Sequence, residues 1–241
     1  MPLVLRVKGV RRETPGTRIV RVDLNRRSFA YQAGQAAMIG PAGSAQRVPY
    51  SIASAPEETR QNDALEFLIK TDPSGRWGER FPEPRRGMEL AVDGPVGSFA
   101  FPARPLEQRL LFIAGGTGVA PIRSMVRHAL TTAYPGRIRV LYSARTPLDF
   151  AYGRELRRLA RQGQIELVLT ATREVQRRWR EGRGRLTVEQ LASVVDDPVT
   201  RCFVCGPSAM VADIPPMLDR LGISRERIHV EQWGSEKNGN G

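Results

Sequence analysis

The sequence predicts two halves of different class: an N-terminal antiparallel β-barrel, then an α/β unit built on a parallel sheet. Three observations carry this. Before residue 101 the apolar residues come in short runs, many of them alternating, separated by turn residues. After residue 105 short apolar runs alternate with helical periodicity. Between them Phe101–Gln108 holds two prolines and fits neither pattern, so the boundary falls between residues 104 and 105.

In the first half, Leu3–Val10, Thr17–Leu24, Gln35–Ile39, Tyr50–Ser54, Ala64–Lys70 and Met88–Val92 read as strands. Pro15-Gly16, Ala33-Gly34, Pro41-Ala42-Gly43, Asp72-Pro73-Ser74-Gly75 and Asp93-Gly94-Pro95 read as the turns between them. Strands at this spacing point to an antiparallel barrel or sandwich.

In the second half, Leu110–Ala114, Ile138–Ser143, Ile165–Thr170, Arg201–Cys205 and Ile228–Val230 read as buried strands. Ile122, Met125, Val126 and Ala129 fall on one helical face within Pro121–Leu130. Thr187 and Gln190 form a capping box that opens a helix over Thr187–Val195. Pro207 can start a helix, and Pro215-Pro216 is expected to kink or break it. Strands alternating with helices imply a parallel sheet covered on both faces.

Composition excludes several classes. With 41% hydrophobic and 26% charged residues, the chain is not a disordered one. No apolar run approaches the roughly 20 residues of a membrane span. Arg6, Lys8, Arg11 and Arg12 interrupt the N-terminus, so no secretory signal is expected and a cytoplasmic location is. The only cysteines, Cys202 and Cys205, cannot hold a plant-type iron–sulfur cluster, which needs four. His128 and His229 stand alone, without metal-ligand spacing. The net charge of +12 suits an acidic partner. It is equally explained by a coding bias, since 34 of the 37 basic residues are arginine. They are spread along the chain with no basic tail or aromatic-interleaved strip, which argues against nucleic acid.

Three segments carry chemistry. In Leu110-Leu-Phe-Ile-Ala-Gly-Gly-Thr-Gly-Val-Ala-Pro121 an apolar strand runs through glycines into a helix. Small residues let a diphosphate approach the backbone, and the helix N-terminus offers free N–H groups. The same pattern also serves as a plain tight turn, and it is not G-x-G-x-x-G, because Pro121 takes the last position. Val204-Cys205-Gly206-Pro207 ends a later strand, where Cys205 either faces a ligand or fills the core; alternation along the strand argues against a Cys202–Cys205 redox pair. In Arg47-Val-Pro-Tyr-Ser-Ile-Ala-Ser54, Tyr50 and Ser51 offer an aromatic face and a hydroxyl to a flat heterocycle, or simply belong to an ordinary strand.

Taken in order, these segments resemble the ferredoxin–NADP reductase family of flavoproteins. The resemblance rests on Tyr50-Ser-Ile-Ala-Ser54, Gly94-Pro-Val-Gly-Ser-Phe99, Gly115-Gly-Thr-Gly-Val-Ala-Pro121, Leu141-Tyr-Ser-Ala-Arg145, Cys205-Gly-Pro207 and Val230-Glu-Gln-Trp233, and spans roughly Leu3 to Trp233. It implies an FAD-binding barrel over residues 1–104 and a Rossmann-like NAD(P)-binding domain over residues 105–241. By the same resemblance Tyr50 packs on the isoalloxazine, with Ser51 and Ile52 beside it. Gly75, Arg76, Trp77 and Gly78 wrap the flavin diphosphate. Gly116, Thr117, Gly118 and Pro121 meet the dinucleotide diphosphate. Cys205, Gly206 and Pro207 lie near the nicotinamide, and Glu231 and Trp233 close the site; Ser51, Cys205 and Glu231 are the implied catalytic residues.

Two positions depart from the family pattern. Its arginine two residues before the tyrosine is Val48 here, with Arg47 one step earlier, so a bulge at Pro49 is needed to restore its reach. Its Ser or Thr three residues after the first glycine of the second motif is Gly78 here. Both bear on the flavin phosphate grip and leave FMN as an alternative. Thr172, Arg173, Arg183 and Arg185 match the region where NADP-specific members bind the 2′-phosphate, and no acidic residue ends the Ile138–Ser143 strand to claim a free 2′-hydroxyl. The implied function is an NADPH-dependent flavoprotein reductase serving a separate acidic carrier, a ferredoxin or flavodoxin. The alternatives are an oxygenase reductase component, a flavin or quinone reductase, and a flavin-binding subunit without turnover.

Overall fold

A computed structural model of the chain describes residues 2–72, 75, 77–103, 105, 107–173 and 179–232. The first half contains β1 (Leu3–Thr14), β2 (Thr17–Asp23), β3 (Ala36–Pro41), β4 (Val48–Ser51), α1 (Pro56–Asn62), β5 (Ala64–Lys70) and β6 (Glu89–Val96). The strands form one antiparallel sheet in the order β4-β3-β6-β1-β2-β5. Its two ends meet through the Ile52–Phe67 bridge and the Ala53 N–H donating to the Glu66 carbonyl at 2.7 Å, which closes the barrel. Leu5, Val7, Val20, Val22, Ile39, Ile52, Phe67 and Leu90 fill its core. In β5 every residue from Ala64 to Ile69 is buried, not every second one. Its inner face fills the barrel, while Leu68 on its outer face joins the core of the second half.

Two expectations about the barrel are corrected. β4 pairs with β3 from Val48 to Ser51 without a register shift, so there is no bulge at Pro49. Pro49 is tolerated because β4 has a ladder partner on one side only, and its missing N–H is not needed there. The chain also leaves the strand after Ser51 and forms α1, which hydrophobic periodicity does not reveal because the helix buries only Thr59. Its end signals are nonetheless present: Pro56 in the first turn, Glu57 and Glu58 near the N-terminus, and Asp63 in the left-handed region at φ 50°.

The second half contains β7 (Arg109–Gly115), α2 (Val119–Thr131), β8 (Arg137–Ala144), α3 (Gly153–Arg161), β9 (Glu166–Ala171), β10 (Gly182–Arg183), α4 (Val188–Ala192), β11 (Arg201–Gly206), α5 (Ser208–Arg220) and β12 (Ile228–Gln232). The strands are parallel, in the order β10-β9-β8-β7-β11-β12. Phe112, Val140, Phe203 and Cys205 face one layer with Met125 and Leu156. Leu111, Leu141, Cys202 and Val204 face the other with Ile214 and Leu218. Cys202 and Cys205 thus point to opposite faces, and burial pushes the Cys202 thiol up to about 12.

The Thr187 capping box forms, with Gln190 N–H donating to Thr187 Oγ1 at 3.3 Å and Thr187 N–H to Gln190 Oε1 at 3.1 Å, though the helix is shorter than expected. Pro215 and Pro216 do not break α5, which runs through them to Arg220. Ile214 and Leu218 are buried against the sheet on either side of the pair and hold the helix in place. The carbonyls that lose their N–H partners belong to Val211 and to Ala212, an exposed residue.

Candidate functional site

The two sheets meet at a cleft of about 780 Å³, within the range of small-molecule sites. In the parallel sheet it opens at the carboxyl ends of β7 and β11. There the strand order reverses, since β8 and β9 lie on one side of β7 and β11 and β12 on the other. Ligands of open α/β sheets bind at such a switch point.

The barrel wall of the cleft is made by Pro49, Tyr50 and Ser51 of β4, with Thr14, Thr17, Leu68 and Lys70. Tyr50 is half-buried and rests on the edge of Trp77, ring centroids 6.4 Å apart. Trp77 is fully buried, donates from Nε1 to the Pro82 carbonyl at 2.8 Å and packs edge-on against Phe81 at 4.9 Å. It therefore supports the tyrosine from behind and does not line the cleft. Gly75 lines it, and its N–H donates to the Asp72 carbonyl at 2.9 Å. Gly78 lies behind, where a Cβ would stand 2.3 Å from the Asp72 carbonyl oxygen and 2.4 Å from that of Thr71. Backbone crowding explains why neither Ser nor Thr occupies that position.

Arg47 is outside the cleft, its side chain lying against Gly40 of β3. Ile52 is in the barrel core. Arg76 and Trp233 lie outside the described residues. The cation that does line this wall is Lys70, whose Nζ is 3.8 Å from Asp72 Oδ1. Its place in the cleft is not carried by any of the three motif segments. A signal was available: in a chain where arginine supplies 34 of the 37 basic residues, Lys70 is the lysine that ends a strand directly before the glycine-containing Asp72–Gly75 stretch.

The opposite wall comes from Gly115, Gly116, Thr117 and Gly118, a 3-10 turn that feeds α2, and from Gly206 and Pro207 before α5. Gly118 allows the two chain crossings to touch, since a Cβ there would fall 2.2 Å from the Cys205 carbonyl oxygen. Cys205 itself is fully buried beneath that contact and is not part of the cleft surface. Pro121 is buried in the first turn of α2, where a missing N–H does no harm. Tyr142, fully buried in β8, donates its hydroxyl to the Gly116 carbonyl at 3.0 Å and accepts from the Ala151 N–H at 3.1 Å, fixing the glycine turn from below. Burial pushes its phenol pKa up, so it stays a donor at all physiological pH.

At the carboxyl ends of β8 and β9 the lining residues are Ser143, Ala144, Arg145 and Thr172, with Arg185 beyond β10. Arg173 is exposed beside them, its N–H donating to the Arg145 carbonyl at 2.9 Å. Arg183 is exposed and turned back to the Trp179 carbonyl at 3.3 Å. Glu231 sits in β12 opposite Cys205, its carboxylate beside Gly97 at the end of β6 and not in the cleft lining.

The cleft thus joins an aromatic face and a hydroxyl on one wall to glycine N–H groups at a helix start on the other, with cations at both ends. This donor set fits a flat heterocycle carrying a diphosphate, with a second dinucleotide across from it.

Comparison with known proteins agrees with this chemistry. Residues 5–101 match an oxidoreductase FAD-binding domain and residues 112–215 an oxidoreductase NAD-binding domain. The chain is 31% identical over 96% of its length to ferredoxin–NADP reductase B of Sorangium cellulosum, covering 98% of that protein. It is 32% identical over 77% of its length to the glycine betaine monooxygenase reductase subunit of Pseudomonas aeruginosa, of which it spans about half. Its fold matches a Neisseria gonorrhoeae ferredoxin NADP+ reductase solved with bound FAD and NADP, at a TM-score of 0.80 and 20% identity, over 95% of this chain and 98% of that one. The chain therefore belongs to the ferredoxin–NADP reductase family of FAD- and NAD(P)-binding oxidoreductases.

Proposed function

We propose that the protein is an NADPH-dependent FAD reductase that delivers electrons to a separate one-electron carrier, a ferredoxin or a flavodoxin. The observation that carries this reading is the shared cleft, which faces Tyr50 and Ser51 across to Gly116–Gly118. When bound, FAD supplies the exchange between two-electron and one-electron chemistry. The work of the chain is to hold, orient and dry the reactants. Tyr50 offers a ring face whose tilt is set by Trp77, and Ser51, buried to 5% exposure, offers a hydroxyl at the ring edge. Lys70 offers the cation for flavin phosphate on the barrel side. Gly116–Gly118 and the start of α2 offer N–H groups to the nicotinamide dinucleotide's diphosphate. Cys205 acts from below, as the packed floor under Gly118.

Preference for NADPH over NADH is supported by Arg145, Thr172 and Arg185 around one end of the cleft, where Asp149, the carboxylate that follows β8, takes hydrogen bonds from the Thr146 N–H and Oγ1 at 3.1 and 2.8 Å. Two cysteines are too few for a plant-type iron–sulfur cluster, which supports a carrier outside this sequence. A net charge of +12 favours an acidic one. The likeness to a monooxygenase reductase subunit supports a second acceptor, an oxygenase component served through the same flavin.

The test is the visible spectrum of the purified protein, recorded anaerobically with NADPH and then with NADH. Flavin bands bleached faster by NADPH are expected. Protein that takes up no FAD, or FAD that NADPH leaves oxidised, overturns the reading.

A further inference from the structure

α2 touches both walls of the cleft. The turn that feeds it, Gly116–Gly118, lines one wall. One helical turn further on, Arg123 and Ser124 reach across to the barrel. Arg123 Nη1 donates to the Ala53 carbonyl at 2.9 Å, and Ser124 Oγ donates to the Ser54 carbonyl at 2.7 Å. Ala53 and Ser54 follow within three residues of Ser51, where the strand that carries Tyr50 and Ser51 ends.

The rest of the Arg123 guanidinium is used as completely. It grips Glu58 of α1 at 2.8 and 3.1 Å and Glu155 of α3 at 2.9 and 3.1 Å. Together with Ala53 this employs all five of its N–H groups. Glu66 of β5 lies 3.9 Å away and takes a hydrogen bond from Tyr152 Oη at 3.0 Å, over whose ring the guanidinium sits at 5.0 Å. Arg127 and Arg21 complete the cluster on Glu58 and Glu66, so three arginines balance three glutamates. Arg123 is 8% exposed, and the glutamates come from both halves of the chain.

Stability is a poor reason for such a cluster. Buried ion pairs seldom outdo well-packed apolar residues, because desolvation offsets their attraction. What five directional bonds to a planar group do supply is a fixed geometry. Hydride transfer needs that, since its reacting atoms must sit within about 3–3.5 Å of each other and a misplacement of about 1 Å lowers the rate roughly a hundredfold.

We propose that Arg123, assisted by Ser124, is a positioning residue that sets the gap between the Tyr50–Ser51 strand and the Gly116–Gly118 turn, and with it the distance over which hydride passes. The inference rests on the placement of flavin and nicotinamide given above. Neither side chain touches the reactants; both act through the two backbone segments that do.

The test uses Arg123→Lys, which keeps the charge and loses the planar fork, and Ser124→Ala, which removes only the contact with Ser54. The first readout needs no cofactor. Spin labels at Arg86→Cys in the barrel and Arg161→Cys at the end of α3, both exposed, report the distance between the halves, and the two native cysteines are too buried to be labelled. A single narrow distance is expected in the parent, and a broadened or shifted one in Arg123→Lys. The second readout is the anaerobic bleaching of bound FAD by saturating NADPH. It is expected to slow about tenfold to a hundredfold in Arg123→Lys and severalfold in Ser124→Ala. Affinities for FAD and NADPH should stay within about twofold, since no cleft contact is removed. Unchanged distances with unchanged bleaching overturn the proposal, as does a slowing that merely tracks lost FAD. If the parent itself binds FAD and NADPH fails to bleach it, the functional reading falls, and the distance measurement alone then judges whether Arg123 fixes the two halves.

Discussion

Replacing Lys70 and Arg47 separately discriminates between two accounts of how the flavin phosphate is held. The family pattern places that task on an arginine near Tyr50, and Arg47 is the residue nearest in sequence. The structure turns Arg47 onto Gly40 and leaves Lys70 as the cation on the barrel wall. A hydrogen bond to a charged partner contributes about 1.5–3 kcal/mol. At about 1.4 kcal/mol per tenfold in affinity, loss of such a bond weakens binding by roughly 10- to 150-fold. Asp72, 3.8 Å from Nζ, already offsets part of the lysine charge, so the lower half of that range is expected for Lys70→Met, about 10- to 40-fold. Arg47→Ala should change the FAD dissociation constant by less than about threefold, because no cleft contact is lost. The assay is a fluorescence titration of deflavinated protein with FAD, at two salt concentrations. The Lys70 variant should also lose much of the parent's salt dependence. An Arg47 variant more impaired than the Lys70 variant would refute the assignment and show that the arginine reaches the phosphate once flavin is bound.

Other outcomes follow from the same geometry. Tyr142→Phe removes one hydrogen bond from the Gly116 carbonyl, which keeps the Val119 N–H, and one from the Ala151 N–H, which keeps the Asp149 carbonyl, and at about 0.5–1.5 kcal/mol per bond the loss is about 1–3 kcal/mol. Melting should therefore fall by roughly 2–10 °C, and the KM for NADPH should rise severalfold while FAD affinity holds; titrations of the two cofactors check this. Gly78→Ser should be destabilised by more than about 2 kcal/mol in a urea titration, since its Cβ would meet two backbone carbonyls. Burial opposes ionisation of Glu58, but the charges and hydrogen bonds of Arg123 and Arg127 outweigh it and hold its carboxyl below the usual range. A lowered folded value contributes stability that is present above the unfolded pKa, about 4.3, and lost as pH falls through the folded value. Acid unfolding of the parent should be steepest below that pH, and Glu58→Gln should flatten the slope. Turnover with an acidic carrier should fall as ionic strength rises, whereas reduction of an uncharged acceptor should not.

The two halves and their strands were legible because their periodicities differ. Alternation in β2 and the continuous apolar runs of β7 and β11 reflect one-sided and two-sided burial directly. What was not legible depended on partners far away in sequence. α1 has almost no apolar stripe, because its role is to present Glu58 to Arg123, 65 residues on. The continuity of α5 through two prolines is decided by Ile214 and Leu218 packing on the sheet. The turn to Lys70 in place of Arg47 follows from the unshifted pairing of β3 and β4, and register of that kind is set by the whole barrel. Cys205 sits in a motif that pointed to the cleft, yet its side chain is taken up by the floor, since alternation in β11 sends it into the layer of Phe203 and Met125.

The arginine-rich composition now divides into two populations that sequence could not separate. Arg154, Arg158 and Arg161 are exposed along α3, where a lysine would carry the same charge to water or to a partner. For them a coding bias is a sufficient account. Arg123 and Arg139 are different. Arg139 bridges Glu166, the Val194 carbonyl and Asp196 from one guanidinium, and Arg123 joins Ala53, Glu58 and Glu155. An ammonium has three donors radiating from a point and cannot serve five acceptors in a plane. Bias supplies arginine everywhere, but only geometry makes it irreplaceable, and among these the one on α2 lies between the two walls of the cleft. A reductase that must bring two cofactors together from separate halves has most to lose there, which is why Arg123→Lys, a change invisible to net charge, is expected to be felt in the rate of hydride transfer.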